Sequence, residues 1–255
     1  MRLMFIGDVV GKEGSEFLGS KMHHLKKKYN VDITVVNGEN SASGNGITIS
    51  SCEYLTSIGA DVITTGNHAF KRRESLSMFD EVEHLVRPVN YPEGVIGKGV
   101  YTLDLGWYQV AVVNLMGVVY MEPLENPFFA MDKVLDEIET KNIFVDVHAE
   151  ATAEKKALGF YLDGKVTAVL GTHTHVQTAD EAILANGTAY ITDVGMTGPE
   201  ESVLGVQKEP AIEKQRLRTP VRFVEANTPC FICGVVVEFD EKTGKAISIE
   251  RIIER

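Results

Sequence analysis

The sequence has few cysteines, no long apolar run and no pattern typical of a signal peptide in its first residues. Three of its 255 residues are cysteines, and a low, odd number of this kind is typical of a reducing compartment. No apolar stretch approaches the roughly 20 residues that a membrane-spanning helix needs. The first residues lack the cleavage pattern of a signal peptide. We therefore expect a cytoplasmic protein with no membrane partner.

Basic residues are also few in relation to acidic ones. The chain has 25 Lys and Arg against 36 Asp and Glu, which gives a formal net charge of −11. A protein with this charge repels polyanions over most of its surface, so we expect no extended DNA binding. Two local basic clusters, 26–28 and 71–73, are expected to be solvated faces of helices.

Cys230 and Cys233 form a lone C-x-x-C motif at the start of an apolar run. A structural zinc site normally needs a second pair of ligands nearby, and none follows in the sequence. Residues three apart on a strand face opposite sides of the sheet. We therefore expect these cysteines to have a structural role.

Apolar runs and helical patterns alternate over the first 70 residues, an order that favours parallel strands joined by right-handed crossovers. Later segments contain more strands, with turn signals at 106–107, 186–187 and 243–244. The predicted strands are 2–7, 31–37, 61–65, 86–90, 100–105, 108–115, 142–147, 166–170, 180–185, 188–193, 230–239 and 246–253. The predicted helices are 14–28, 50–59, 127–140, 152–160 and 208–217, the last with a possible start at Pro210.

The chain contains no repeat, no low-complexity tract and no segment with the composition of a linker. We therefore expect one domain that spans residues 1–255. Its fold class is predicted to be α/β, with two mixed sheets and outer helices in a four-layer α/β/β/α sandwich.

Side chains that can bind metal follow five of the apolar runs directly. Open α/β sheets usually bind their ligands at the carboxyl ends of the strands. The clusters are Gly7-Asp8, Gly38-Glu39-Asn40, Gly66-Asn67-His68, Asp146-Val147-His148 and Gly171-Thr172-His173-Thr174-His175. Each cluster alone is compatible with a turn or a helix cap. Five of them at strand ends indicate one shared site.

The clusters contain carboxylates, amides and imidazoles but no thiolate, a set that suits Fe, Mn, Zn or Mg rather than a structural zinc. His173 and His175, placed in a loop, can reach two adjacent ions. Glu39 is the natural bridging carboxylate because Asn40 follows it directly. Three further histidines are expected to be solvated: His23, His24 and His84.

Longer strings around these clusters resemble the YmdB-like family of cyclic-nucleotide phosphodiesterases, a branch of the calcineurin-like metallophosphoesterases. The strings are 5–9, 36–42, 65–69, 146–155, 171–180 and 190–199. The sequence departs from the wider superfamily because no second histidine follows Asp8, and Asn40 is the expected substitute. Thr172 is a further departure, and Ala69 stands where many members carry an acidic residue.

The resemblance implies two metal ions, with iron as the first expectation and manganese, zinc or magnesium as alternatives. Carried over by position, one ion is bound by Asp8, Glu39, Asn40 and His175. The other ion is bound by Glu39, Asn67, His148 and His173. Glu39 bridges the two ions, and His68 is the general acid.

Three polar residues follow His148 closely: Glu150, Thr152 and Glu154. They are expected either to support the metal ligands or to form the first turn of a helix, where acidic residues are favoured.

These expectations predict a dinuclear phosphodiesterase that hydrolyses small cyclic nucleotides, 2′,3′- or 3′,5′-cyclic monophosphates. A metal-bridged hydroxide would attack phosphorus while His68 protonates the leaving alkoxide. The alternatives are a nuclease or phosphomonoesterase of the same superfamily, and a metal-bearing regulatory protein. The expected partners are a small phosphodiester substrate and further copies of the chain in a homo-oligomer.

Overall fold

The computed structural model describes all 255 residues. Its strands are β1 (Arg2–Ile6), β2 (Asp8–Val9), β3 (Ile33–Asn37), β4 (Val62–Thr64), β5 (Leu85–Val86), β6 (Val100–Asp104), β7 (Gln109–Met116), β8 (Ile143–His148), β9 (Ala168–Thr172), β10 (Ala182–Ile183), β11 (Ala189–Ile191), β12 (Met196–Pro199), β13 (Cys230–Phe239) and β14 (Ala246–Glu254). Its helices are α1 (Gly11–Tyr29), α2 (Ile49–Ser57), α3 (Met78–Glu81), α4 (Pro127–Glu137), α5 (Thr152–Leu162) and α6 (Lys208–Leu217), with one 3₁₀ turn at Arg73–Ser75. No helix is both long and apolar enough to cross a membrane.

The strands form two mixed sheets. The first has the order β2-β12-β13-β1-β3-β4-β5, with β14 also paired to β13. Strands β1, β3, β4 and β5 are parallel, whereas β13 runs antiparallel to β1. The second sheet has the order β10-β11-β9-β8-β7-β6, in which four parallel strands lie between two antiparallel edge strands. Helices connect the parallel pairs β1/β3, β3/β4, β7/β8 and β8/β9, and short turns join the antiparallel pairs β6/β7, β10/β11 and β13/β14.

Three apolar cores separate four layers. In β1, Leu3 and Phe5 face the second sheet while Met4 packs with α1 and α2, because alternate residues of a strand point to opposite faces. Phe144 and Phe239 meet between the sheets with ring centroids 5.1 Å apart. Helices α4 and α5 cover the outer face of the second sheet. The predicted four-layer α/β/β/α sandwich with two mixed sheets is therefore confirmed.

The main differences from the predicted elements lie in short or irregular segments. The predicted strand 86–90 is limited to β5, because the Arg87 guanidinium donates hydrogen bonds to the carbonyls of Pro88 and Val95 and holds the chain in a loop. The predicted strand 180–185 is limited to β10. The sequence pattern does not predict β12, whose Gly198 and Pro199 are typical of turns.

Two further corrections concern polar segments. The basic cluster 71–73 is not a helix face: it lies in a turn, and Arg72 donates hydrogen bonds to the carbonyls of Ser43 and Asn45. Helix α6 begins at Lys208, so Pro210 lies inside its first turn, where no intrahelical N–H bond is lost.

The carboxyl ends of both parallel strand sets meet at one end of the sandwich. Two hydrogen bonds join the sheets there, since the Asp146 carboxylate on β8 accepts from Asn37 Nδ2 at 2.9 Å and from Thr64 Oγ1 at 2.5 Å. This junction places the polar clusters after β1, β3, β4, β8 and β9 around a common point.

Candidate metal centre

The structure brings all eight predicted site residues together at this junction. The first sheet contributes the residues that follow β1, β3 and β4, and the second sheet contributes those at the ends of β8 and β9. Half of the set is buried and half is partly exposed at the mouth of a cavity. The buried members are Asp8, Glu39, Asn40 and His148, and the partly exposed ones are Asn67, His68, His173 and His175.

Four ligand atoms converge at the inner side of the site. His148 Nε2 lies 2.9 Å from Asn67 Oδ1, 3.1 Å from His173 Nδ1 and 3.3 Å from Glu39 Oε2. Ligands about 2.1 Å from one metal ion in a six-coordinate arrangement lie about 3 Å from each other. The spacing of these atoms therefore fits a shared cation, and Glu39, His148 and His173 are close enough together to hold one.

A second group of residues that could bind a cation, namely Asp8, Asn40 and His175, lies beside the first. His175 Nε2 lies 3.8 Å from Asp8 Oδ1 and 3.4 Å from Asn40 Nδ2. Asp8 Oδ1 is buried and has no hydrogen-bond partner. A buried carboxylate oxygen left in this way is costly, and a cation between Asp8, Asn40 and His175 would satisfy it.

The Glu39 carboxylate connects the two groups. Its Oε1 accepts a hydrogen bond from Asn40 Nδ2 at 2.7 Å, whereas its Oε2 faces His148 Nε2 at 3.3 Å. One carboxylate therefore presents an oxygen to each group, which is what a bridging ligand requires. The Asp8 carboxylate also lies near both groups, since its Oδ2 accepts from the backbone N–H of His173 at 3.1 Å and its Oδ1 lies 3.8 Å from His175 Nε2.

The pKa values of the two inner histidines shift in opposite directions. Burial lowers the pKa of His148, but the charges of Glu39, Asp8 and Asp146 outweigh it and raise that pKa to about 9. Burial and the neighbouring His148 charge lower the pKa of His173 to about 4. Burial raises the pKa of Asp8. A positive charge is thus favoured at the point where the carboxylates and the imidazoles meet.

A glycine is required where β4 leads into the site. A Cβ atom at position 66 would overlap the ring of His148 and the carboxylate of Glu39. Only a residue without a side chain allows the backbone to approach these groups so closely. In the Gly66-Asn67-His68 string, the glycine is therefore needed for steric reasons, whereas the other two residues are needed for the chemistry of the site.

His148 is held in one orientation by a hydrogen-bonded chain. Thr172 Oγ1 donates to Asp146 Oδ1 at 2.6 Å and lies 2.9 Å from His148 Nδ1. Because the hydroxyl proton is used on Asp146, Thr172 accepts from His148 Nδ1–H, which directs Nε2 into the site. Burial raises the pKa of Asp146 to about 6. Sequence reasoning missed this role, although Asp146 and His148 are two residues apart on one face of β8.

The loop with His173 and His175 has an unusual backbone. Both residues have positive φ angles, 95° and 64°. Residues other than glycine rarely adopt this region of backbone conformation. The backbone N–H and the hydroxyl of Thr174 between them donate to Asp193 Oδ2 at 3.1 and 2.7 Å. Lys155 Nζ donates to the same oxygen at 2.7 Å and to the Thr172 carbonyl at 2.6 Å. Sequence reasoning missed both Lys155 and Asp193.

His68 lies at the mouth of the site. Its Nδ1 is 2.9 Å from Asn40 Oδ1 and 3.1 Å from Glu39 Oε1, and its backbone N–H donates to Glu39 Oε2 at 3.1 Å. These contacts orient the ring without help from the next residue. Ala69 is instead buried in the apolar core beneath.

The three polar residues after His148 have different roles. Glu150 Oε2 lies 3.1 Å from His173 Nε2, so it contacts a predicted ligand. Glu154 accepts hydrogen bonds from the backbone N–H groups of Val118 and Val119 at 3.0 and 3.3 Å. Thr152 is exposed at the start of α5. Only Glu150 supports the ligands, and Glu154 instead fixes the loop after β7.

A four-layer sandwich with a site at the carboxyl ends of its strands is the fold of the calcineurin-like phosphoesterases. The structure superimposes on a calcineurin-like phosphoesterase from Bacillus subtilis with a TM-score of 0.55 at 11% identity, covering 100% of this chain and 90% of the other; this likeness concerns the fold. The family described as YmdB-like protein matches residues 4–252. The chain belongs to this family.

Closer relatives agree with this assignment. A 2′,3′-cyclic-nucleotide 2′-phosphodiesterase from Bacillus subtilis is 48% identical over 99% of this chain and 97% of the relative. The crystal structure of a novel phosphatase from Mycoplasma pneumoniae is 35% identical, with a TM-score of 0.95 over 100% of this chain and 94% of that one. A hypothetical protein from Thermus thermophilus has a TM-score of 0.94 at 39% identity, over 99% and 98% of the two chains. The predicted family is confirmed, and so is the predicted class of enzyme, a phosphoester hydrolase.

Proposed function

We propose that this protein is a dinuclear phosphodiesterase that hydrolyses small cyclic nucleotides, with 2′,3′-cyclic monophosphates as the first substrates to test. The observation that carries the proposal is the position of Glu39, whose two carboxylate oxygens face two separate groups of ligand atoms. The activity for which the Bacillus subtilis relative is named supports the choice of substrate.

Two ions would be held by the residues that the resemblance implies. Asp8, Glu39, Asn40 and His175 form one set, and Glu39, Asn67, His148 and His173 form the other. Imidazole, carboxylate and amide ligands without thiolate suit iron, manganese, zinc or magnesium, with iron as the first expectation. When bound, such a pair of ions supplies hydroxide at neutral pH and neutralises charge on the phosphoryl oxygens.

His68 is the residue that we propose as the general acid. It lies at the mouth of the cavity with its side chain a quarter exposed, so its ring can reach a bound ester. Asn40 and Glu39 hold its Nδ1, which leaves Nε2 to deliver a proton to the leaving alkoxide. Help of this kind accelerates a reaction by about 10²–10⁴-fold.

The size of the site favours a small ester. The cavity has a volume of about 280 Å³, at the lower end of the range for pockets that bind small molecules. The net charge of −11 also opposes the approach of a long polyanion.

The proposal is tested by metal analysis and a substrate panel. Purified protein is expected to contain two equivalents of metal by inductively coupled plasma mass spectrometry. It should hydrolyse 2′,3′-cyclic AMP faster than p-nitrophenyl phosphate or single-stranded RNA, and lose activity after treatment with a chelator. His24→Ala, a change on the exposed face of α1, serves as the control for changes at the site.

Each contrary result has a clear meaning. Protein with two equivalents of metal that cleaves no cyclic nucleotide would refute the proposed substrate class. Faster cleavage of RNA or of the monoester would favour a nuclease or a phosphomonoesterase. Variants of His68 that lose turnover but keep a cellular effect would favour the regulatory alternative.

A further inference from the structure

The cavity above the proposed metal centre has one polar side and one apolar side. The polar side includes four of the proposed ligands, Glu39, Asn40, His173 and His175, together with His68. The apolar side is formed by Val10, Ala42, Val203, Leu204, Val206, Ala211 and Phe223. None of these seven residues takes part in the chemistry proposed above.

Phe223 is the only aromatic residue of this wall, and its position is unusual. It lies in the irregular segment between α6 and β13 and is 52% exposed. About half of this apolar side chain is therefore accessible where it lines the cavity.

The segment around Phe223 is fixed to the turn that precedes α6. Gln207 N donates to the Val224 carbonyl at 2.9 Å, and Ala226 N donates to the Gly205 carbonyl at 2.9 Å. These two bonds place Phe223 beside residues 203–206 of the wall. The backbone next to Phe223 is therefore hydrogen-bonded to the turn before α6 and is not a free loop.

The same segment is also connected to both sides of the cavity. The carbonyl of Leu204 lies 3.3 Å from His175 Nδ1, so the wall contacts a predicted ligand directly. Glu225 Oε1 accepts from the backbone N–H of Gly44 at 2.6 Å, in the loop after Glu39. The distance between the aromatic wall and the proposed reaction centre is thus set before a substrate binds.

We infer that Phe223 and the adjoining apolar wall form a nucleobase subsite. This inference rests on the proposed function, because the base is the flat, apolar part of a cyclic nucleotide while its phosphodiester is bound on the polar side. Bases stack on aromatic side chains with little dependence on base identity, since every base has a π-face. Asn45 and Gln215, whose amides both donate and accept hydrogen bonds, also line the cavity and suit the polar edges of any base.

The test compares a substrate with a base and one without. The substrates are 2′,3′-cyclic AMP and 1-O-methylribose 2′,3′-cyclic phosphate, assayed with the metal-loaded protein. Phe223→Ala should lower the kcat/KM ratio of the first substrate to the second by about 10-fold, mainly through KM. Phe223→Tyr should retain most of the ratio. Trp107→Ala removes an aromatic side chain that is 96% exposed outside the cavity, and it should leave the ratio unchanged.

The outcomes separate the subsite from the reaction. If Phe223→Ala leaves the ratio unchanged, or lowers kcat/KM equally for both substrates, the subsite is refuted even though the enzyme is a phosphodiesterase. If wild-type protein cleaves neither ester, the proposed function fails. Calorimetry then still tests the subsite: 2′-AMP should bind wild type about 10-fold more tightly than Phe223→Ala, and equal affinity would refute it. Unfolding temperatures confirm that each variant is folded.

Discussion

Lys155 and Asp193 form a buried ion pair, Nζ to Oδ2 at 2.7 Å, directly beneath the loop that carries His173 and His175. Both partners also hold that loop, Lys155 through the Thr172 carbonyl and Asp193 through Thr174. The pair therefore stabilises a backbone that would not adopt its positive φ angles without support.

Lys155→Met is expected to destabilise the protein by about 3–5 kcal/mol, because it leaves the Asp193 carboxylate buried without its partner. Urea denaturation measures the change in the free energy of unfolding. The control is Lys156→Met, since the next lysine is half exposed and pairs with Asp180 at 3.5 Å on the surface. That change should cost less than about 1 kcal/mol. Equal losses in the two variants would contradict the buried role of Lys155.

The double variant Lys155→Met/Asp193→Leu separates stability from positioning. Removing both charges should restore much of the stability, because an apolar pair has no desolvation cost. The hydrogen bonds to Thr174 are still lost, so metal content should stay below two equivalents. Full metal content together with wild-type kcat in the double variant would show that the ion pair does not position the loop.

His68→Ala should keep both metal ions and lose about 10²–10⁴-fold in kcat on 2′,3′-cyclic AMP, whose leaving alkoxide needs a proton. Bis-p-nitrophenyl phosphate has a better leaving group and should be affected much less. Steady-state kinetics on both esters, with His24→Ala alongside, measures the contrast. An equal loss on the two esters would argue against an acid role.

Glu39→Ala should lose metal at both positions, because its two oxygens face both groups of ligand atoms. Asn67→Ala should weaken only the inner position, since Asn67 contacts His148 and no member of the outer group. Elemental analysis after dialysis against a weak chelator gives the equivalents retained. Two full equivalents in Glu39→Ala would refute the bridging assignment.

The three thiols are expected to differ in reactivity. Burial raises the pKa of Cys52 to about 11 and that of Cys233 to about 12, so at pH 8 almost no thiolate forms at either residue. Cys230 is partly exposed, and burial raises its pKa less far. Titration with Ellman's reagent should detect about one thiol in native protein and three in urea. Rapid reaction of three thiols without urea would contradict the burial of Cys52 and Cys233.

Much of the fold and the location of the site could be predicted because their signals are local. An apolar run that ends in Glu39 or His148 is visible in the sequence without knowledge of its neighbours. The sequence predicts β5 and β10 but makes both strands too long, and it does not predict β12, which is short and contains turn-forming residues.

The supporting residues could not be predicted for a different reason. Lys155 and Asp193 are 38 residues apart, and their pairing depends on how α5 packs on β9. Phe223 lies in a segment without periodicity, so the sequence does not show that it faces a cavity. Asp146 is the exception, because its spacing from His148 was a usable signal.

The site lies at the junction between the two sheets, so metal binding should affect the stability of the fold. One sheet contributes Asp8, Glu39 and Asn67 to the site, and the other contributes His148, His173 and His175. A pair of bound ions would therefore cross-link the two sheets. Cations that bind only the folded chain add to its stability by mass action. The temperature at which the protein melts should therefore fall on chelation and rise again with the concentration of added metal, even in a variant that has lost His68.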